Sequence, residues 1–245
     1  MGGQNHQPTS SVTLIAPSAW LSQKIGDGFS EVLQANSQLE NAIIVGVNHL
    51  HVEDLASLED SSESYLSNAI ALVRRSLETE ASIQTGFENL LAAADKENYR
   101  GNPLASRVRD FDLREQFNGR LVLPSANQNA WEAIVDRVES TNILATLRWE
   151  ASEFEKLREP TVELVQVLEA CLERLRSDGP RGFVEAIECN DIPLRQSYAR
   201  VFSLWNYLHA MFLYSTLVMT ELFYRTNSFG SLLTDSDGQD SQRTA

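Results

Sequence analysis

Cysteine and histidine are the scarce residues of this chain, two and four among 245, and their spacing narrows the chemistry open to it. Cys171 and Cys189 form no CxxC pair and have no histidine beside them. They read as free, mostly buried thiols of a protein kept in a reducing compartment, and a cytoplasmic location is the expectation. His49 and His51, followed by Glu53 and Asp54, are the one compact group of metal-ligand types. Two residues apart on a helix, the two histidines point to different faces. Helical metal motifs instead place ligands three or four apart, and neither HExxH nor ExxH occurs. No metal and no cofactor are expected.

Basic residues are also in short supply. Lysine and arginine total 20 against 34 acidic residues, leaving a net charge of −14. A nucleic-acid binder needs clustered cations to displace counterions, so binding to DNA or RNA is not expected. Attraction to anionic lipid is disfavoured for the same reason. Phosphate-cradling glycine loops are missing, and Gly26-Asp27-Gly28 is a coincidence inside a helical pattern. No nucleophile motif is visible, which speaks against an enzyme. The first residues lack a basic stretch followed by an apolar core, so no secretory signal is read there. Gly2 suits a myristoylation motif, but His6 stands where that motif wants Ser or Thr.

What the chain does have is helical periodicity. Its most apolar run is Ile192 to Tyr224, with a stripe at three-four spacing: Leu194, Tyr198, Val201, Trp205, Leu208, Phe212, Ser215, Met219 and Leu222. Leu204, Met211, Leu213, Leu217 and Val218 occupy the other faces, so other helices or a membrane must surround this one. Within it, Asn206, His209, Thr216 and Thr220 form a narrow polar seam, and buried polar groups need partners.

Upstream, residues 1–17 read as a flexible arm, with Ser18 capping a helix from Ala19. Its stripe is Ile25, Phe29, Val32, Asn36, Leu39, Ile43, Val47 and Leu50. The acidic, serine-rich stretch Glu59 to Ser64 reads as a turn before a second helix to Asn98. The second stripe (Leu66, Ile70, Val73, Leu77, Gln84, Phe87, Leu91, Ala94) is interrupted by Glu80. Gly101 and Pro103 stop that helix, and a subdivision near 100–124 is considered because the segment is irregular. It holds Arg107, Arg109, Arg114 and Arg120, interleaved with Asp110, Asp112 and Glu115. These arginines are either salt-bridged locally or a face for an acidic partner or anion. Trp131, Val135, Val138, Ala145 and Trp149 mark a further helix; Pro160 kinks or restarts it, and Asp178-Gly179-Pro180 ends the next. A short helix spans Gly182 to Glu188, and residues 225–245 read as a disordered acidic tail. The remaining glutamates are read on solvent faces.

The expected fold is all-α: one domain over 18–224, an elongated bundle of about five or six helices around the apolar C-terminal helix. The leading functional reading is a non-catalytic interaction or assembly protein, presenting helical faces to protein partners or to its own copies. A membrane-associated protein inserting 201–220 is one alternative. A helical enzyme or small-molecule binder using the polar seam is the other.

Overall fold

The computed structural model describes residues 12–49, 56–96, 133, 137 and 143–236, with side chains described over 18–48, 62–94, 133, 137 and 144–216. Among the described residues there is no strand, and the fold is all-α. The helices are α1 (Val12–His49), α2 (Ala56–Lys96), α3 (Ile143–Glu155), α4 (Arg158–Glu188) and α5 (Leu194–Ser236). The chain divides into two compact units. One comprises Leu21–Gly86 and Ala151–His209, the other Met1–Trp20, Phe87–Glu150 and Ala210–Ala245.

In the first unit each long helix buries a seven-residue repeat. The core positions of α1 are Leu21, Gly28, Ala35 and Ala42, alternating with Ile25, Val32, Leu39 and Gly46. Those of α2 are Ser62, Ala69, Ser76 and Ile83, alternating with Leu66, Val73 and Glu80. In α4, Leu164 and Cys171, in register with Leu157 just before the helix, alternate with Thr161, Leu168 and Leu175, all buried. A strict repeat of seven keeps one seam of each helix turned toward its neighbours, as in coiled coils and four-helix bundles.

Cross-helix contacts set the order of those neighbours. Ser62 donates to the Ala42 carbonyl at 3.4 Å and Thr79 to Glu31 at 3.2 Å, so α1 and α2 run antiparallel. Arg176 pairs with Glu63 and Arg74 with Glu169, making α2 and α4 antiparallel. Arg200 meets Glu163 at 2.8 Å, and the Tyr198 hydroxyl donates to the Val32 carbonyl at 3.1 Å. These two contacts place α5 antiparallel to α4 and to α1. The circuit α1–α2–α4–α5 is an up-down-up-down bundle. The ion pairs are surface pairs, worth well under about 1 kcal/mol each, so they mark the order of the helices more than they hold it.

Close approach is concentrated at Gly28. A β-carbon there would sit 2.9 Å from Trp205 Cζ2, closer still to Cη2 of the same ring, and 3.1 Å from Thr79 Cγ2. The indole of α5, fully buried and edge-on to Phe154 at 6.5 Å, therefore lies directly against the α1 backbone. At the far end, α4 is interrupted at Gly179, whose φ of 70° and ψ of −176° belong to glycine almost alone. Pro180 follows, and the remaining arm brings Val184 and Phe183 onto Gly46 of α1. No neighbouring atom lies near a β-carbon at Gly179, so Gly179→Ala tests backbone strain without a clash. The expected result is a loss of roughly 1–3 kcal/mol in denaturant unfolding, and an unchanged midpoint would refute the assignment.

In the second unit, described by itself, Phe87 of α2 meets Phe212 of α5 edge-on at 5.8 Å. The Arg137 guanidinium lies 5.9 Å over the Trp149 ring.

Several sequence expectations are corrected. α1 begins at Val12, so the arm read over 1–17 is helical from there, and Pro17 lies inside it at the cost of one backbone hydrogen bond near the helix end. Glu59 to Ser64 belong to α2 and are not a turn; acidic residues near a helix start are favoured by its dipole. α5 continues past Tyr224 to Ser236, into the stretch read as a disordered tail. The core face of α1 is displaced by one position from the sequence stripe: Phe29, Asn36, Ile43 and Val47 are only half-buried. Cys171 is a buried free thiol, pushed up to about 12 by that burial, but Cys189 is exposed. The readings at Pro160 and Gly179 agree with the structure. α3 ends at Glu155, a two-residue turn follows, and Pro160 sits in the first turn of α4, where its missing amide costs nothing.

Candidate functional site

The displacement of the α1 stripe has a consequence on the outside of the bundle. α1 carries a second apolar stripe beside its buried one, and this stripe meets α5. Phe29 packs on Phe202 at 5.8 Å and on His209 at 5.4 Å between ring centres, and Phe202 stacks on Tyr198 at 6.1 Å. All four rings are half-buried. Beyond Tyr198 the ladder opens into a groove of about 400 Å³ lined by Leu39, Ile43, Ile44, Leu194 and Tyr198, with Asn36, Glu40 and Arg195 at its edge. Ile44 is 56% exposed and Leu33, on the same side of α1, 45%.

The polar members of this face are held in place. Asn36 donates to Glu40 at 2.8 Å. The Tyr198 hydroxyl is committed to the Val32 carbonyl, and burial, with Glu40 nearby, pushes its pKa well above the usual phenol range. His209 is pushed below its ordinary value by burial alone, so near neutral pH it presents a neutral imidazole. The face thus combines aromatic rings with hydrogen-bonded polar groups. Among the described residues, no acid, base or nucleophile on this face is hydrogen-bonded to another so as to pass a proton.

Of the polar seam proposed from sequence, Asn206 and His209 fall on α5 in register with Phe202, both half-buried. Thr216 is half-buried and belongs to the other unit, and the side chain of Thr220 lies outside the described residues. Arg107, Arg109, Arg114 and Arg120 also lie outside them, as do the side chains of His49 and His51. Among the described residues no group of three His, Cys, Asp or Glu is placed to hold a metal ion. No helix of the described residues is long and apolar enough to cross a membrane.

Two glutamates are buried, although the sequence reading took Glu80 as an interruption of its apolar stripe and placed the remaining glutamates on solvent faces. Glu80, in a core position of α2, is 5% exposed, and Glu150 of α3 is fully buried. Neither has a hydrogen-bond donor on its carboxylate oxygens among the described residues. Burial raises Glu80 to about 7 and Glu150 to about 8. The signal in the sequence was the heptad register of α2, in which Glu80 falls on the buried stripe and does not interrupt it.

No family model, no curated protein and no solved structure matches the chain.

Proposed function

We propose that this is a non-catalytic helical protein that docks a protein partner on its α1–α5 face, with the groove at Leu39, Ile43, Ile44, Leu194 and Tyr198 seating an amphipathic helix of basic character. The observation that carries the reading is the second apolar stripe of α1. It ends in a groove with Ile44 more than half exposed, although the same helix already buries a complete heptad stripe inside the bundle. A helix needs one apolar stripe to join a bundle, and a second one calls for something outside it. The net charge of −14 supports a basic partner and opposes association of the chain with its own copies.

The test uses synthetic amphipathic helices with leucines at three-four spacing flanked by lysines, titrated against the full chain by fluorescence anisotropy. Ile44→Glu should weaken binding at least tenfold, the loss of an apolar anchor at the centre of an interface being worth about 1.4 kcal/mol or more. Its melting temperature should stay within about a degree of the parent, because Ile44 is exposed. Equal binding by both proteins overturns the proposal. Concentration-dependent dimers by sedimentation, lost in Ile44→Glu, would reassign the face to a second copy.

A further inference from the structure

The groove between α1 and α5 has two edges, one from each helix. On α1, Leu33, Ser37, Glu40 and Ile44 follow one another at three-four spacing, all exposed. On α5, Arg195, Ala199 and Phe202 keep the same spacing, the first two exposed and the third half-buried against Phe29 of α1. Each edge holds one charged residue, and the two are opposite in sign. Both of them, Glu40 and Arg195, border the groove beside Ile44 and Leu194.

Neither charge is used up within the bundle. Asn36 donates to Glu40 Oε1 at 2.8 Å, which steadies the carboxylate on the α1 edge and leaves Oε2 open to a donor from outside. Arg195 makes no hydrogen bond and no ion pair among the described residues. It differs in this from Arg200 on the same helix, which is committed to Glu163 of α4 at 2.8 Å. Glu40 and Arg195 do not pair with each other either, and the apolar floor of Leu39, Ile43 and Leu194 belongs to the groove that both of them border.

Because α1 and α5 are antiparallel neighbours, a helix laid between them sets one flank along each edge. Turning that helix end for end exchanges its flanks. An apolar stripe is indifferent to the reversal, but edges of opposite charge are not. We infer that Glu40 and Arg195 fix the direction in which a partner helix lies in the groove, Glu40 taking its basic flank and Arg195 an acidic residue on the other. This inference rests on the docking reading above and narrows the partner. Its helix is basic overall, against the net charge of −14, yet carries Asp or Glu along one flank of its apolar stripe. A helix with lysines on both flanks would set one of them against Arg195 in either direction. Exposed ion pairs add little affinity, while juxtaposed like charges count against the wrong arrangement. On reversal each edge contact turns from attraction to repulsion, and two such changes of a few-fold apiece favour one direction about tenfold.

The test reads direction in the full chain. Cys189 is exposed and Cys171 buried, so a nitroxide can be attached at Cys189, in the turn that leads into the Leu194 end of the groove. Two synthetic helices share a leucine stripe and a lysine-rich outer face. The first has lysines on one flank of the stripe and glutamates on the other, and the second has the flanks exchanged. Isotope-labelled alanines at both ends report by line broadening which end lies near the nitroxide. The expected result is broadening of one end of the first helix and of the opposite end of the second. In the variant Glu40→Lys with Arg195→Glu, which keeps the net charge, the two assignments should trade places. Both positions are exposed, so its melting temperature should not move. Broadening of the same end in both helices, of both ends equally, or without exchange in the variant overturns the inference. Ile44→Glu separates the two readings. If it abolishes binding, a helix without a preferred direction refutes the role of Glu40 and Arg195 alone. Helices that bind Ile44→Glu as well as the parent, or bind neither protein, refute the docking reading and this inference with it.

Discussion

Trp205→Ala should unfold at markedly lower denaturant than the parent, with a loss of roughly 3–5 kcal/mol. The indole is fully buried, edge-on to Phe154, and pressed on the α1 backbone at Gly28. Its removal leaves a cavity bounded by helices already fixed by their own heptads, so collapse into the space is limited. Equilibrium unfolding in urea, followed by far-ultraviolet circular dichroism, measures the effect. A loss under about 1 kcal/mol would mean that the helices close up around the gap, and that the tight contact at Gly28 does not set their spacing.

The second large effect is the reciprocal one. Gly28→Ala adds a single methyl, yet that methyl would lie 2.9 Å from one carbon of a rigid ring and closer still to the next. Overpacking of this kind costs about 1–3 kcal/mol, although alanine is the better helix former by nearly 1 kcal/mol. The two contributions oppose each other, so the sign of the outcome is informative. A stabilised variant would show that α1 and α5 can part without cost. In a Trp205→Phe background the atoms that would clash are gone, and Gly28→Ala should then become neutral or stabilising. Strong non-additivity in this double-mutant cycle is the expected result, since the two residues are in direct contact.

Much of the fold was legible because side-chain periodicity reports helix faces directly. Val201, Trp205, Leu208, Phe212 and Ser215 were placed on one stripe of α5, and all are buried. Pro160 and Gly179 were legible because their backbone chemistry leaves few choices. α1 misled for a physical reason. Its innermost positions include Gly28, Ala35, Ala42 and Gly46, small residues that let a neighbouring helix approach, and a reading weighted by hydrophobicity passes over them in favour of Phe29 and Ile43. Those larger residues are what form the candidate docking face, so the site was present in the sequence but was taken for core. Glu80 was recognised as an exception within its stripe, but composition alone cannot show that a carboxyl is enclosed.

The order of helices around the bundle also bears on how the chain reaches this state. Seams between successive helices join residues close in sequence: Ser62 to Ala42 is 20 residues, and Arg200 to Glu163 is 37. The remaining two seams are distant, with Arg74 and Glu169 separated by 95 residues and Tyr198 and Val32 by 166. Closing a short loop costs less entropy than closing a long one. The α1–α2 and α4–α5 hairpins can therefore form separately, and their docking is the later, slower event. Contacts within a hairpin should then register in the folding rate, whereas the Gly28–Trp205 contact, which exists only after docking, should register chiefly in the rate of unfolding.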